Sequence, residues 1–317
     1  MSLFTRGSLE ENSLSKRPLL ADQPDPGQPD QMQERFLTMS DGCKLWLSQW
    51  QAPAPQAHLL IVHGFGDCAA RHLHTAKFFQ QAGFSGSLYD LRSHGRSDGQ
   101  RGDIFSYHRL CEDLQEILHA TQNSFGQIPI FLLGFSFGGQ LVAKTLLSLP
   151  RLQSLVAGQV LVAPWFQLVV RPHWWQHPLL AVARVLAPGL QQPTELKVRQ
   201  LSDDDTHYQI IQEAYGHLLY QKISVRAYLQ ATAMGRSLLL DAENLDVPSF
   251  VLHGSEDGVT SPEASRAFFE RLAAKQKAYQ LWPGMRHELQ NSTARHEVFQ
   301  AIHAWIVGQL SQTTQPS

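Results

Sequence analysis

The chain has 317 residues, 43% hydrophobic and 17% charged, an ordinary globular balance that excludes a wholly disordered polymer and a membrane bundle. Length alone allows one large domain or two small ones. A net charge of −2 provides no basic surface for nucleic acid or for an acidic membrane surface, so no nucleic-acid partner is expected.

Residues 1–33 are polar, and Pro24, Pro26 and Pro29 sit among Asp and Gln in a stretch too poor in apolar surface to fold, so a disordered tail is expected. Met1 to Leu20 carries Arg6, Glu10, Glu11, Lys16 and Arg17 and lacks the apolar run of a secretory signal. Cys43, Cys68 and Cys111 are widely spaced and form neither a C-x-x-C pair nor a disulfide ladder, as in a reducing compartment. Both features place the protein in the cytoplasm.

From Phe36 onward, short apolar runs alternate with amphipathic segments, the pattern of an α/β protein with a mostly parallel sheet flanked by helices. Leu59–Val62, Ile130–Leu133, Val160–Val162 and Phe250–Leu252 are apolar at consecutive positions, which predicts central strands covered on both faces. Helices are expected over Arg71–Gln81, Arg109–Thr121, Phe137–Ser148 and Pro262–Lys275. Ser261 followed by Pro262 reads as a helix start, and Pro150 as a stop. Between residues 165 and 240 the alternation lapses into a stretch rich in Trp, Leu, Pro and His, read as a mainly helical cap inserted into a core of residues 34–164 and 241–312. Its most apolar part, Pro178 to Leu190, is interrupted by Arg184 and Pro188 and is too short to span a bilayer.

Gly134-Phe135-Ser136-Phe137-Gly138 lies between a predicted strand and a predicted helix, the setting that a Gly-x-Ser-x-Gly nucleophile turn requires. The flanking glycines remove side chains that would clash in so tight a turn, and the helix N-terminus favours developing negative charge. A serine hydroxyl needs a base, and the base needs an acid to hold its tautomer. In this fold both follow the serine on strand-end loops. Asp257, after the Phe250–Leu252 run, and His287, after Tyr279–Trp282 and the Pro283-Gly284 turn, fit that order. Among 15 histidines position must decide: His253 precedes the acid and reads as structural or as its support, while His296 and His303 fall on a terminal helix. Glu256 is the main rival acid; Asp241 and Asp246 come before the strand. For the oxyanion, the N–H groups of Phe137 and of Phe65, in His63-Gly64-Phe65-Gly66, are the candidate donors.

Together with Tyr89-Asp90-Leu91-Arg92-Ser93-His94-Gly95-Arg96-Ser97-Asp98-Gly99, these segments resemble the monoacylglycerol lipases and lysophospholipases of the α/β-hydrolase superfamily, over about Phe36 to Leu310. The resemblance implies an α/β-hydrolase fold, a carboxylic ester of an acyl lipid as substrate, and a chiefly structural role for the His94–Gly99 loop. Phe135 departs from the histidine common before the nucleophile, and Phe65 from a smaller residue. Trp165, Trp174 and Trp175 are candidate lining for an acyl chain, with core packing of the insertion an equal reading. The cap is also expected to touch a membrane surface transiently. No metal or dissociable cofactor is implied. Two alternatives stay open: an aminopeptidase of the proline-aminopeptidase type, for which Asp203 to Asp205 offer an acidic anchor, and a non-catalytic binding module, which has no reason to keep all three residues.

Overall fold

The computed structural model describes residues 29, 31–126, 128–170, 173, 175, 177–194 and 196–313. The expectation for the tail therefore lies almost wholly outside the described residues, and Trp174 lies outside them too.

Ten strands are described: β1 (Gln33–Thr38), β2 (Lys44–Trp50), β3 (His58–Val62), β4 (Ser85–Tyr89), β5 (Ile130–Phe135), β6 (Gly158–Val162), β7 (Gln191–Pro193), β8 (Lys222–Ser224), β9 (Ser249–Gly254) and β10 (Lys277–Trp282). The helices are α1 (Leu73–Gln81), α2 (Tyr107–Phe125), α3 (Phe137–Ser148), α4 (His177–Leu186), α5 (Val198–Leu201), α6 (Asp205–Tyr215), α7 (Val225–Asp241), α8 (Pro262–Arg271) and α9 (Arg295–Thr313). Eight strands form one sheet in the order β1-β2-β4-β3-β5-β6-β9-β10. The pairs from β4 to β10 are parallel, while β1 and β2 are joined antiparallel at one edge.

The consecutive apolar residues of β3 and β5 are explained by cover on both faces. Leu60, Val62 and Leu132 pack with Leu114 of α2, Leu141 of α3, Leu238 of α7 and Phe268 of α8. Leu59, Ile61 and Leu133 face the opposite way, against Phe79 of α1 and Ile302 of α9. A sheet so enclosed has no polar face, and period-two alternation disappears.

The helix expected over Phe137–Ser148 has those bounds. α2 runs longer than expected because Ser106 caps it, accepting from the Arg109 N–H. α8 starts at Pro262 with Ser261 accepting from the Ala264 N–H, but stops at Arg271 rather than Lys275. There Lys277 Nζ donates to the carbonyls of Phe269, Glu270 and Leu272 at 3.1, 3.2 and 2.7 Å, satisfying acceptors that another helical turn would have used. Between β6 and α7 lie α4, α5, α6 and an antiparallel ribbon of β7 and β8. α7 itself lies on the sheet side, with Ala227, Ala231 and Leu238 in the same apolar cluster as α3.

Because β3, β5, β6, β9 and β10 run parallel, their carboxyl ends share one edge, and the loops after them converge there. Two glycines let α3 start immediately beyond β5. A Cβ on Gly138 would lie well inside van der Waals distance of the Val62 and His63 carbonyl oxygens, and one on Gly134 would meet Gly139 Cα. Gly138→Ala is therefore expected to destabilise by at least about 1–3 kcal/mol, the usual cost of overpacking. Gly308→Ala, in α9 with no atom near the added carbon, should be neutral or stabilise by about 0.5–1 kcal/mol. Denaturant unfolding of the two variants checks the contrast.

Candidate active site

Ser136 sits at the strand-to-helix turn with φ 52° and ψ −117°, a left-handed backbone that an L residue adopts only under constraint. The constraint is visible: Ser136 N–H donates to the Val162 carbonyl at 2.9 Å, and the Ser136 carbonyl accepts from the Trp165 N–H at 3.0 Å. Although Ser136 precedes α3, its side chain does not cap the helix. Oγ instead meets His287 Nε2 at 2.9 Å.

The other ring nitrogen, His287 Nδ1, is 2.7 Å from Asp257 Oδ2, so the carboxylate fixes an Nδ1–H tautomer and leaves Nε2 to accept from the serine. Asp257 Oδ1 accepts the N–H groups of Val259 and Thr260 at 2.7 and 2.9 Å. Burial would raise the Asp257 pKa, but the His287 charge and hydrogen bonds from His253 and His287 hold it well below the ordinary carboxylate range. Burial would also lower the His287 pKa, yet the charge and hydrogen bond of Asp257 raise it above the ordinary imidazole value. Glu256 is exposed. The structure brings Ser136, His287 and Asp257 into one hydrogen-bonded line. It is the geometry of a hydroxyl activated by a general base.

Phe137 is the first residue of α3, and neither its N–H nor that of Phe65 has an acceptor among the described residues. The Phe65 ring packs edge-on against Phe137 at 5.8 Å and Trp165 at 6.4 Å, which gives this large side chain a place beside the turn. Its loop is braced by the Asp90–Gly99 segment. His63 Nε2 accepts from the Leu91 N–H at 3.0 Å, Asp90 accepts from the Ala69 and Arg96 N–H groups, and His94 packs against Phe65 at 5.1 Å.

Ser136 and His287 open into a cavity of about 460 Å³, within the range of small-molecule sites. One part is apolar, with Trp165, Leu168, Leu196, Leu219, Ile223 and Tyr228; another carries Asp67, Arg71, Tyr208, Glu288 and Gln290. Trp175 is not among the lining residues and is 53% exposed. Arg71 donates from Nη1 to Asp67 at 3.0 Å and from Nη2 to Glu288 at 2.8 Å, and lies over the Tyr208 ring. Gln290 is buried, and its Oε1 has no partner among the described residues. These polar residues were not anticipated, although Asp67 and Glu288 each follow a recognised motif within a residue or two.

The Asp203–Asp205 run does not reach the cavity. Asp203 Oδ2 accepts from Thr293 Oγ1 at 2.8 Å, and Asp204 caps α6 and pairs with Arg295 at 2.8 Å. This segment is tied to the His287 loop: the Glu288 N–H donates to the Leu201 carbonyl at 2.7 Å and Arg286 Nη1 to the Ser202 carbonyl at 2.6 Å.

Residues 53–294 match the family described as serine aminopeptidase, S33. The chain is 28% identical to a monoacylglycerol lipase of Mycolicibacterium smegmatis, covering 81% of this chain and 90% of the relative. It is 26% identical to the phospholipase YtpA of Bacillus subtilis, covering 81% and 97%. It is also 26% identical to an uncharacterized abhydrolase domain-containing protein of Dictyostelium discoideum, over 85% of this chain but only 28% of that longer one. Among solved structures, a soluble variant of monoglyceride lipase from Saccharomyces cerevisiae in complex with a substrate analog aligns with TM-score 0.77 at 20% identity, over 90% of this chain and 99% of that one. The fold is that of the α/β-hydrolases, as the sequence motifs lead one to expect.

The acid should separate from its neighbour by mutation. Asp257→Asn is expected to cut turnover by orders of magnitude, roughly 10⁴-fold in the serine-protease precedent, and Glu256→Gln to leave it within a few-fold. Because His287 must be neutral to accept a proton and its pKa is raised, kcat/KM should fall as pH drops through a value above about 6.5. A pH–rate profile with the two variants checks both.

Proposed function

We propose that this chain, which belongs to the serine aminopeptidase (S33) family, hydrolyses carboxylic esters of acyl lipids through an acyl-enzyme on Ser136. Ser136 Oγ attacks the ester carbonyl as His287 Nε2 takes its proton, and Asp257 stabilises the resulting imidazolium. The N–H groups of Phe65 and Phe137 receive the oxyanion. His287 returns the proton to the departing alcohol, then activates the water that releases the acid. The carrying observation is the cavity, in which the Ser136–His287 pair is accompanied by an apolar wall for a chain and a buried polar cluster for a head group.

That cluster favours an uncharged head group. Two carboxylates, Asp67 and Glu288, bracket the Arg71 guanidinium, so among the described residues of this cluster an incoming phosphate would meet carboxylates and a guanidinium already paired with them. Monoacylglycerol is the reading this supports over a lysophospholipid. An aminopeptidase would need a free acidic anchor in the cavity; Asp203 and Asp204 are engaged by Thr293 and Arg295, and Asp67 and Glu288, which line the cavity, are paired with Arg71, so the ester reading is again favoured. A membrane surface would meet the cap at α4, where Leu179, Val182, Val185 and Leu186 are all more than half exposed. No helix among the described residues is long and apolar enough to cross a membrane.

A panel of monoacylglycerols, lysophospholipids and aminoacyl amides tests the reaction. Monoacylglycerols should be hydrolysed best, with efficiency rising several-fold per added methylene, about 0.8 kcal/mol each, until the cavity is full. Ile223→Trp should shorten the preferred chain. Ser136→Ala should lose turnover and fluorophosphonate labelling while remaining folded; a folded, active Ser136→Ala protein would remove the assignment. Separately, Val182→Glu/Val185→Glu should reduce co-sedimentation with phosphatidylcholine vesicles yet keep activity on a water-soluble ester.

A further inference from the structure

Asp257 Oδ2, the oxygen that receives His287, has a second imidazole on it. His253 Nε2 lies 2.9 Å away, and Thr260 Oγ1 2.8 Å. The Thr260 hydroxyl has one proton and a second acceptor, the Ala163 carbonyl at 3.2 Å, so it is a divided donor. His253 is fully buried at the end of β9, and its Nδ1 lies 2.8 Å from Ser265 Oγ on α8. A neutral imidazole has one N–H, and a carboxylate can only accept. Nε2–H therefore points at Asp257, while Nδ1 takes the Ser265 hydroxyl proton.

We propose that His253 is a positioning residue for the reaction: its Nε2–H holds Asp257 Oδ2 in line with His287 and, by sharing that oxygen, sets how strongly the acid supports the base. The inference rests on the reading of Ser136, Asp257 and His287 as the reacting line. Two donors on one oxygen compete, so the hydrogen bond from His253 removes part of the basicity that would otherwise act on His287 Nδ1–H. Without His253, Asp257 keeps the two backbone donors on Oδ1, but Oδ2 is held opposite His287 only by the divided Thr260 hydroxyl. Both consequences are measurable. The rate should fall because the base is less well oriented, and the base should hold its proton to higher pH.

The other charged and titratable groups around this line come from other segments and are unaltered in sequence when His253 is changed. Glu288 lies on the His287 loop, Asp67 and Arg71 come from the turn before α1, and Glu263 lies in the first turn of α8, where Ser261 Oγ donates to it at 2.7 Å. A shift in the pH profile is thus assignable to His253 itself.

His253→Leu is expected to lower kcat/KM about 10- to 100-fold, the size of losing a hydrogen bond to a charged group. It should also move the acid limb of the profile upward by roughly 0.5–1 pH unit. His253→Gln, whose Nε2 can still donate toward Asp257, should keep the wild-type limb and recover most of the rate. If both folded variants lose only thermal stability, with rate and limb unchanged, His253 merely packs and the proposal is overturned. Proton NMR of wild-type protein carrying ¹⁵N-histidine answers even if the leucine variant does not fold. Two strongly deshielded imidazole N–H protons, one at His287 Nδ1 and one at His253 Nε2, are expected, and an unprotonated His253 Nε2 overturns the proposal. Full activity of Ser136→Ala would instead overturn the reacting line itself, an outcome distinct from either.

Discussion

The chain between Leu133 and Leu141 has to leave a central strand and begin a helix within one residue, and much of the site depends on that constraint. The turn is possible because Gly134 and Gly138 let the first turn of α3 lie directly on the carbonyls that end β3. Ser136 is thereby held at positive φ, a conformation that costs of order 1–3 kcal/mol and persists because hydrogen bonds to Val162 and Trp165 over-determine it. Three features follow from this one bend. The hydroxyl stands clear of the helix it would otherwise cap, the Phe137 N–H is left without an acceptor among the described residues, and both face the edge where the other strand-end loops gather.

Around that bend, charge is buried in two separate arrangements that share His287 as their boundary. On one side Asp257 is surrounded by donors, so a carboxylate can stay ionised away from water. On the other, Arg71 pairs with both Asp67 and Glu288 in the cavity wall, with Asn291 Nδ2 donating to Glu288 at 2.7 Å. Removing one member of such a group costs about 3–5 kcal/mol, more than exchanging the whole group for apolar residues, because an unpaired charge is left behind. The cluster therefore works as a shape as much as a set of charges.

The segment between β6 and α7 is joined to the same loop. Leu201, Ser202, Asp203 and Asp204 each bond to residues between Arg286 and Arg295, so the segment that carries the proposed base and this part of the cavity wall are one hydrogen-bonded unit. The apolar helix α4 lies away from this strut and has no comparable ties among the described residues.

Much of this was legible in the residues themselves. Continuous apolar runs identified β3, β5, β6 and β9, because a strand enclosed on both faces has to be apolar throughout. The Gly-x-Ser-x-Gly turn and the order serine, acid, base located Ser136, Asp257 and His287, because each lies at the end of a strand whose position is already set. β4 was not legible: Ser85-Gly86-Ser87 carries no apolar signal, and it is buried because Gly86 lies under the Trp50 ring and Ser87 meets Gln49 and His58 across neighbouring strands. Trp175 and the Asp203–Asp205 run were composition without direction; one ring faces outward and two of the acids brace a loop. Local pattern determined which segments form strands and which loops carry chemistry, since both depend on neighbours within a few positions. Only tertiary structure decided that Arg71 meets Glu288 across 217 positions and that His253 and His287 share one oxygen, since contacts between distant segments leave no periodicity in the chain.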